Sequence, residues 1–470
     1  MKRIVTPEEM RGIEQAAFAR GVPSLLLMET AARAAFERLR LMTPAGGRAV
    51  FLCGPGNNGG DGLAMARMWR LAGGDARVIL PKEPATPDAR TNLAYAQALG
   101  VPVTDSLAGA QVIVDALFGT GFRGSVAPDS AMGQLIAAAN GAGCPILAVD
   151  IPSGMDGLTG AAAGVCARAA ETVTFHAAKR GLLLTDHPEW VGRLTVADIG
   201  LPVDRGWLWA DDLRELLPPR PRTAHKGDCG RVTLCAGSLG MAGAAAMAAR
   251  AALRAGSGLV TVLCPPEIIP ILQTAVPNAM CRDWTQSASL PADARLLGCG
   301  VAENEETWNL LLSLHGETVP EVWDAGALNL LARHPQGLGA NAVITPHVGE
   351  AARLLGWETA RVLADLPAAA EALRQKYGCH VILKSHVSVL LSADGATALN
   401  TAGSPALAKG GSGDALAGIL VSLLGQGLPP FAAMQAACLW LGLAGQRAGE
   451  KYGLRGALTA EVIDCMSEVS

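Results

Sequence analysis

A glycine-rich segment in the first part of the chain has the composition of an anion-binding loop. Residues 54–62 read GPGNNGGDG, follow an apolar strand candidate at 49–53 and precede a helical pattern at 63–71. Glycines let backbone N–H groups approach an anion with no Cβ in the way, and a helix N-terminus adds positive potential. An ordinary tight turn is the alternative, but it does not need two asparagines and an aspartate among five glycines. The segment therefore predicts a phosphate-binding loop.

Two aspartates close apolar strand candidates in the same half of the chain. Asp115 ends the run QVIVD, and Asp150 ends the run PILAVD. Ligands bind at the carboxyl edge of an open α/β sheet, so both carboxylates are expected to face the glycine-rich loop. The loops that follow them add Arg123 and Ser153. A lone aspartate at such a place often caps a helix instead, but two of them beside a phosphate loop favour a ligand site.

A second glycine-rich segment suits phosphoryl transfer. Residues 409–418 read KGGSGDALAG and enter a strongly apolar helix pattern. Successive amides at a helix start form an anion hole for a transferring phosphoryl group. Asp414, beside that hole, is positioned to accept the proton of a hydroxyl that attacks a phosphate. Its alternative role is that of a first-turn charge favoured by the helix dipole.

His347 is the third candidate group of the second half. It follows Thr-Pro at the end of a strand candidate and precedes a helix pattern, which predicts a place on the ligand edge of a sheet. Without that context a satisfied polar residue would be the better interpretation. The histidines show no H-x-x-x-H spacing, so we predict no transition-metal site.

Composition excludes several classes of protein. The chain has 470 residues, of which 50% are hydrophobic and 17% charged, and its net charge is −4. A weak negative charge without basic runs argues against nucleic-acid binding. The 11 cysteines show no C-x-x-C spacing, which favours reduced thiols over a zinc site or disulfides. The apolar runs 415–424 and 431–444 are too short or too glycine-rich to span a bilayer. We therefore expect a cytoplasmic protein with no membrane partner.

Short apolar runs alternate with helical patterns, which predicts an α/β fold with strands covered on both faces. The proline-rich stretch 216–226 interrupts the alternation, so we expect two domains, 1–215 and 222–470. The first is expected to be a Rossmann-like doubly wound sheet. The strand candidates are 49–53, 76–80, 112–116, 145–150, 171–175, 193–196, 231–236, 259–263, 295–298, 321–324, 342–345 and 380–384.

The motifs GPGNNGGDG, VDALFGTGFRG and VDIPSG of the first half resemble those of the NAD(P)H-hydrate epimerase family. The resemblance spans nearly all of residues 1–210. It implies that Asp150 contacts the hydrated nicotinamide, and reversible loss of the C6 hydroxyl makes it our acid/base candidate. It further implies a potassium ion held by Asn58, Asp115 and Ser153. The implied ligand contacts are Asn57, Asn58, Gly59, Gly60 and Asp61 at the phosphates, and Gly119, Thr120, Gly121, Phe122, Arg123, Gly124 and Ser125 in a closing loop.

The motifs KGDCGR, GSLGMAGA, TPHVGE and GSGD of residues 222–465 resemble the ADP/ATP-dependent NAD(P)H-hydrate dehydratases of the ribokinase-like superfamily. A ribokinase-like α/β sandwich is therefore expected for the second domain. The implied hydrate contacts are Ala244, Gly300, His347 and Asp414. The implied nucleotide contacts are Lys384, Ser385, His386, Val387, Ser388, Gly411, Ser412 and Gly413.

Three segments depart from that family's pattern. Its Lys-Gly-Ala reads KSHVS at 384–388, its Asp-Ala-Asp reads DAG at 324–326, and its Gly-Pro-Gly-Leu-Gly reads GCGVA at 298–302. The first departure concerns nucleotide contacts, and the second removes one carboxylate. Neither of these two departures changes Asp414.

Together the two resemblances imply a bifunctional enzyme of nicotinamide-nucleotide repair. The first domain would interconvert the R and S hydrates of NADH and NADPH, and the second would dehydrate the S epimer at the expense of ADP or ATP. The resemblance to two-domain relatives from bacteria implies a preference for ADP. Potassium and magnesium ions are the implied cofactors, and a homo-oligomer is expected. The alternative is a metabolite kinase of the ribokinase class fused to a non-catalytic ligand-binding module.

Overall fold

The computed structural model describes residues 2–202, 206–217, 219–285, 290–316 and 318–470. The chain forms two compact units, Lys2–Gly206 and Trp207–Ser470. Each unit has a predominantly parallel β-sheet with helices packed on it, so the expected two-domain α/β fold is confirmed. No helix in the described ranges is both long and apolar enough to cross a membrane.

The division between the units falls before the proline-rich stretch. The sequence assigned residues up to 215 to the first domain, but Trp207–Trp209 pairs in parallel with Thr397–Asn400 of the second unit. Leu213 is 2% exposed and belongs to the second unit's core. Backbone pairing and burial decide which core a segment joins, and proline content reports neither. Pro218, within the predicted connector, lies outside the described residues.

The main sheet of the first unit is entirely parallel, with strand order β10-β8-β6-β4-β2-β3. The strands β1 and β9 form a separate parallel pair, as do β5 and β7. The strands are β1 Lys2–Val5, β2 Arg48–Cys53, β3 Asp75–Ile79, β4 Val112–Ala116, β5 Ser125–Val126, β6 Ile146–Val149, β7 Ala163–Gly164, β8 Glu171–Phe175, β9 Ala178–Lys179 and β10 Arg193–Ala197. The helices are α1 Pro7–Ala19, α2 Ser24–Met42, α3 Asn57–Leu71, α4 Pro87–Ala98, α5 Ala131–Asn140, α6 Arg180–Leu184 and α7 Pro188–Val191.

Both faces of this sheet are covered, as the non-alternating apolar strands predicted. Phe51 of β2 packs into the cluster that includes residues of α2 and α3. Its neighbours Val50 and Leu52 point the other way, into a cluster with Ile136 of α5. Successive strand residues face opposite sides, so a strand buried on both sides is apolar throughout.

In the second unit the described strands follow the order β14-β13-β12-β15-β16-β17-β18-β19-β20-β11. They run parallel from β14 to β18, and β19 is antiparallel to both of its neighbours. The strands are β11 Trp207–Trp209, β12 Arg231–Cys235, β13 Leu259–Cys264, β14 Met280–Asp283, β15 Ala294–Leu297, β16 Glu321–Trp323, β17 Ala342–Ile344, β18 His380–Leu383, β19 Ser388–Leu391 and β20 Thr397–Asn400. The helices are α8 Ala242–Arg254, α9 Ile269–Ala275, α10 Glu305–Leu314, α11 Gly326–Arg333, α12 Val348–Leu355, α13 Thr359–Ala364, α14 Leu366–Tyr377, α15 Ser412–Gly425, α16 Pro430–Tyr452 and α17 Thr459–Cys465.

Helix α15 packs closely against helix α8, and one glycine makes this approach possible. A Cβ added at Gly418 would lie 2.2 Å from the carbonyl oxygen of Ala248. The residues of α15 from Ala415 to Gly425 are all buried. This packing fixes the axis of α15 and hence the position of its first turn at the sheet edge.

We predict that Gly418→Ala destabilises the second unit by about 1–3 kcal/mol, because an added methyl has no room in a packed interface. Thermal unfolding of the full chain measures the effect. Gly243→Ala on α8 is the matched control, since a Cβ there meets no atom within 4 Å. Equal unfolding temperatures for the two variants would contradict the packing role.

Candidate active sites

The ligand edge of the first unit lies where the strand order reverses. The chain passes from β2 outward to β3 and then returns to β4 on the other side of β2. The loops after β2 and β4 therefore flank a crevice of the kind that binds nucleotides in open α/β sheets. The GPGNNGGDG segment follows β2, and VDALFGTGFRG supplies the end of β4 and its loop.

Helix α3 begins inside the glycine-rich segment, six residues earlier than predicted from the sequence. Its first residue is Asn57, with Gly56 as the N-cap, whereas the helical pattern predicted a start at Leu63. The glycines allow close packing: a Cβ at Gly59 would lie 1.8 Å from the oxygen of Gly54, and a Cβ at Gly54 would lie 1.9 Å from the oxygen of Leu117. The free amides of the first helical turn thus lie at the sheet edge, where an anion would meet them.

Asp115 and Ser153 form a buried hydrogen-bonded pair in the crevice. The Asp115 carboxylate accepts hydrogen bonds from Ser153 N at 2.8 Å, Ser153 Oγ at 2.6 Å and Leu117 N at 3.3 Å. Ser153 Oγ in turn accepts from Phe118 N at 3.0 Å. Burial raises the pKa of Asp115, and the hydrogen bonds from Ser153 oppose that rise. These hydrogen bonds fix the positions of the Asp115 carboxylate and the Ser153 hydroxyl relative to each other.

Asn58 and Asp150 meet at the start of the closing loop. A Cβ added at Gly119 would lie 3.1 Å from Asn58 Oδ1 and 3.1 Å from Asp150 Oδ2. The side-chain nitrogen of Asn58 is buried without a hydrogen-bond partner among the described residues. Thr120 N donates to Asp150 Oδ2 at 3.1 Å. The structure therefore brings together Asn58, Asp150 and the beginning of the loop.

The far part of that loop does not converge on the carboxylates. The Arg123 guanidinium donates to Thr120 O at 3.3 Å and to Phe122 O at 2.9 Å, and its side chain is exposed. The ring of Phe122 packs against Phe118 at 4.9 Å between centroids. Ser125 begins strand β5 and is also exposed. Gly121 and Gly124 have open space around them.

Asp150 has a strained backbone and a cationic partner that sequence reasoning missed. Its φ is +69°, a conformation that costs non-glycine residues about 1–2 kcal/mol. Lys179 Nζ lies 2.7 Å from Asp150 Oδ1. Nothing in the segment around Lys179 resembles a motif, because its role depends on contacts between residues far apart in sequence.

Two further carboxyls lie near this pair. Burial raises the pKa of Asp61 well above its usual value, and the charge of Asp150 adds to the rise. Burial likewise raises the pKa of Glu14 on α1, with Lys179 opposing. Asp61 was expected at the substrate phosphates, and a carboxyl that resists ionisation would approach an anion with less repulsion than a carboxylate. Glu14 was not predicted.

The ligand edge of the second unit is built at the carboxyl ends of the parallel strands β12, β15, β16, β17 and β18. The strand order reverses between β12 and β15, which again marks a crevice. Gly300 has φ +68°, and a Cβ there would lie 2.7 Å from the Cβ of Ala244. Ser238 Oγ donates to Gly300 O at 2.9 Å. Ala244 and Gly300, both predicted at the hydrate, are therefore neighbours.

Asp414 lies in the first turn of α15, among charged groups from other strands. Burial raises its pKa to about 6, and the negative charge of Asp324 contributes to the rise. A hydrogen bond with the Cys299 thiol and the charge of Lys384 act in the opposite direction. Lys384 Nζ lies 2.9 Å from Asp324 Oδ1. A Cβ at Gly413 would lie 3.2 Å from Lys384 Nζ, which places this cation at the helix start.

His347 serves as the N-cap of α12. Its Nδ1 accepts hydrogen bonds from Gly349 N at 3.0 Å and Glu350 N at 3.3 Å, and the backbone N–H of His347 donates to Glu350 Oε2 at 2.8 Å. Burial lowers the pKa of His347, and Lys384 and Arg353 add to the effect. A neutral imidazole whose Nδ1 is an acceptor carries its proton on Nε2.

The predicted nucleotide contacts divide into two groups. At the start of α15, Gly411 has φ +95°, and the hydroxyl of Ser412 is buried without a partner in the described part of the chain. Segment 384–388 joins β18 to β19, where Ser385 Oγ lies 3.3 Å from His386 Nδ1. Val387 is 5% exposed, so its side chain is buried. Ser388 is the first residue of β19.

Comparison with known proteins covers the whole chain. A family model described as NAD(P)H-hydrate dehydratase matches residues 232–468, and one described as the N-terminus of YjeF-related proteins matches residues 24–181. The bifunctional NAD(P)H-hydrate repair enzyme of Escherichia coli K12 is 38% identical, over 98% of this chain and 92% of its own length. The enzyme of that name from Coxiella burnetii is 36% identical, over 97% and 96%.

This chain belongs to the bifunctional NAD(P)H-hydrate repair enzyme family. Among solved structures, the ADP/ATP-dependent NAD(P)H-hydrate dehydratase from Bacillus subtilis, co-crystallized with ATP/Mg2+, matches with a TM-score of 0.52 and 28% identity. The match covers 55% of this chain and 94% of that one. The two family resemblances and the ribokinase-like fold of the second unit, both inferred from the sequence, are confirmed.

Membership in the repair enzyme family gives the raised pKa of Asp414 a measurable consequence. If Asp414 is the catalytic base, it works only when unprotonated, so dehydration should fall as the pH drops through about 6. Cys299→Ala removes a hydrogen bond that lowers the Asp414 pKa, so the acidic limb of the pH–rate profile should move to higher pH. Cys299→Ser keeps a hydrogen-bond donor, so its acidic limb should stay near the pH of the wild-type limb.

Asp414→Asn is the control that assigns this limb. It should lower turnover roughly 10²- to 10⁴-fold and abolish the acidic limb. An unchanged limb in Cys299→Ala, or near-normal turnover in Asp414→Asn, would contradict the assignment of Asp414 as the titrating base.

Proposed function

We propose that this chain carries out both activities of its family. The first unit interconverts the R and S hydrates of NADH and NADPH. The second unit dehydrates the S epimer and consumes ADP or ATP, regenerating NADH or NADPH. The observation that carries the proposal is the alignment of the chain with bifunctional relatives over nearly its full length, together with a ligand edge in each of its two units.

In the second unit Asp414 is proposed as the catalytic base. It takes the proton of the C6 hydroxyl as that oxygen forms a bond to the terminal phosphorus, and the bond to the remaining nucleotide breaks. The amides and the Ser412 hydroxyl at the start of α15 stabilise the charge on the transferring group. Loss of phosphate from C6 and of a proton from C5 then restores the dihydronicotinamide ring.

Other residues of the second edge are proposed to bind and orient. Lys384 lies near the helix start and favours anionic phosphate there. Ala244, Gly300 and His347 contact the hydrate, and the donor is His347 Nε2–H, which lies 3.5 Å from Glu350 Oε1 in the structure. The nucleotide is expected as a magnesium complex, as suggested by the ATP/Mg2+ of the Bacillus subtilis structure. The preference for ADP stays a prediction.

In the first unit the substrate phosphates are proposed to meet the amides at the start of α3, and Asp150 is the proposed acid/base group at C6. Potassium fits Asn58, Asp115 and Ser153, since amide, carboxylate and hydroxyl oxygens suit a hard cation. The oxygens held by the Asp115–Ser153 pair support this fit, and Asn58 would contribute its amide oxygen Oδ1. When bound, the ion supplies positive charge beside the phosphates.

Several expectations from the sequence stay predictions. Cytoplasmic location and a homo-oligomeric state are among them. We place the two activities in Lys2–Gly206 and Trp207–Ser470 in preference to the sequence-based limits 1–215 and 222–470, because strand β11 pairs within the second unit.

Potassium dependence tests the first site. Asp115→Asn removes the charge and keeps the shape, so it should abolish activation of epimerisation by potassium. Dehydration of the S epimer by the same protein should be unchanged, which serves as the internal control. Epimerisation rates with and without potassium chloride measure the effect. Parallel loss of both activities would indicate a structural role for Asp115.

The division of labour is tested by separating the units after Gly206. Fragment 1–206 should epimerise without nucleotide. Fragment 207–470 should consume only the S half of an epimer mixture with ADP, apart from slow spontaneous epimerisation, and mixing the fragments should restore full conversion. Chromatography of the products and ultraviolet absorbance of NADH follow both reactions.

Two outcomes of this experiment would refute the proposal. Consumption of both epimers at one rate by fragment 207–470 would show that the first unit is not required. Accumulation of a stable phosphorylated product would identify the second unit as a metabolite kinase.

A further inference from the structure

A lysine of the first unit is buried against the carboxylate that we assign to C6. Lys179 is 1% exposed, and its Nζ lies 2.7 Å from Asp150 Oδ1. The same ammonium donates to Thr174 Oγ1 at 3.0 Å and to Phe175 O at 2.9 Å. An ammonium group has three donors, so each has a partner. A buried cation is stable only with such pairing.

The two oxygens of Asp150 have different environments. Oδ1 is close to Lys179 Nζ and accepts from Thr174 Oγ1 at 3.1 Å. For Oδ2 the described structure shows one donor, Thr120 N at 3.1 Å. A carboxylate oxygen accepts about two hydrogen bonds, so Oδ2 retains capacity for a ligand. It also lies on the side of the carboxylate near Gly119 and Asn58.

We propose that Lys179 is a positioning residue of the epimerase site. By engaging Oδ1 it fixes the plane of the Asp150 carboxylate, so that Oδ2 alone is presented to the hydrate. This inference rests on the proposed epimerase activity. The chemical task stays with Asp150, and Lys179 acts through it.

The backbone on both sides supports this role. Lys179 belongs to β9, which is held by β1 through pairing of Val5 with Lys179. Asp150 has φ +69°, an unfavourable conformation that persists where surrounding contacts enforce it. The ion pair therefore joins two fixed points of the backbone, and the carboxylate has little freedom to turn.

A double-mutant cycle in the full chain tests the proposal. Lys179→Met, Asp150→Asn and the double variant are compared by the rate of R-to-S interconversion without nucleotide, followed by chromatography. Lys179→Met should lower kcat about 10- to 100-fold, because misplacement of a reacting group is costly, with KM within threefold of the wild type. In the Asp150→Asn background the same substitution should change kcat less than threefold.

Arg38→Met is the matched control, since it breaks a partly buried ion pair of the same unit, in which Arg38 Nε lies 2.6 Å from Glu171 Oε1. It should lower the unfolding temperature and leave kcat within threefold. If Lys179→Met does not fold, Lys179→Gln, which keeps a donor without charge, takes its place in the cycle.

Two results would overturn the positioning role. One is a normal kcat in the folded Lys179 variant, and the other is an equal loss of kcat in both backgrounds. The proposed function fails separately, if the wild-type chain does not interconvert the epimers at all.

Discussion

Both sites depend on one constraint, the close approach of a helix start to the carboxyl edge of a parallel sheet. In the first unit this approach requires that no side chain stand between the Gly54 turn and the first turn of α3. In the second, Gly418 lets α15 lie against α8, and Gly413 leaves room for Lys384 at the helix start. Free amides and a carboxylate can then face the same ligand.

Charge compensation inside each edge follows from that geometry. Burying a carboxylate is costly unless a cation or hydrogen bonds accompany it. Lys179 forms an ion pair with Asp150, and Lys384 forms one with Asp324. Asp414 has no equally close cation among the described contacts, and its pKa is raised to about 6. The site thus combines a paired carboxylate with one whose proton affinity suits a base near neutral pH.

Two units on one chain make chemical sense for this substrate. A stereospecific dehydratase consumes only one epimer of the hydrate, and an epimerase replenishes it from the other. The intermediate is a free small molecule, so each unit needs only its own core and its own edge. The separate hydrophobic clusters of the two units meet that requirement.

Prediction from the sequence succeeded where the signal was local. Apolar runs marked most of the parallel strands, and the sequence placed Asp115 at the end of one strand and Asp414 at the start of a helix, which is where the structure has them. Prediction from the sequence failed at the start of α3. Glycines are poor helix formers, so the pattern did not indicate that the helix begins at Asn57. The hairpin strands β19 and β20 were also missed, and they build the antiparallel end of the second sheet.

The sequence by itself determined the fold class, the family and the glycine-rich loops at the two sheet edges, because strand ends and glycine-rich turns are properties of adjacent residues. Only the tertiary structure decided which side chains accompany the carboxylates. Lys179 reaches Asp150 across 29 positions in the numbering, and Cys299 reaches Asp414 across more than a hundred. Partners of buried charges are selected by packing between distant segments, and no local pattern reports that selection.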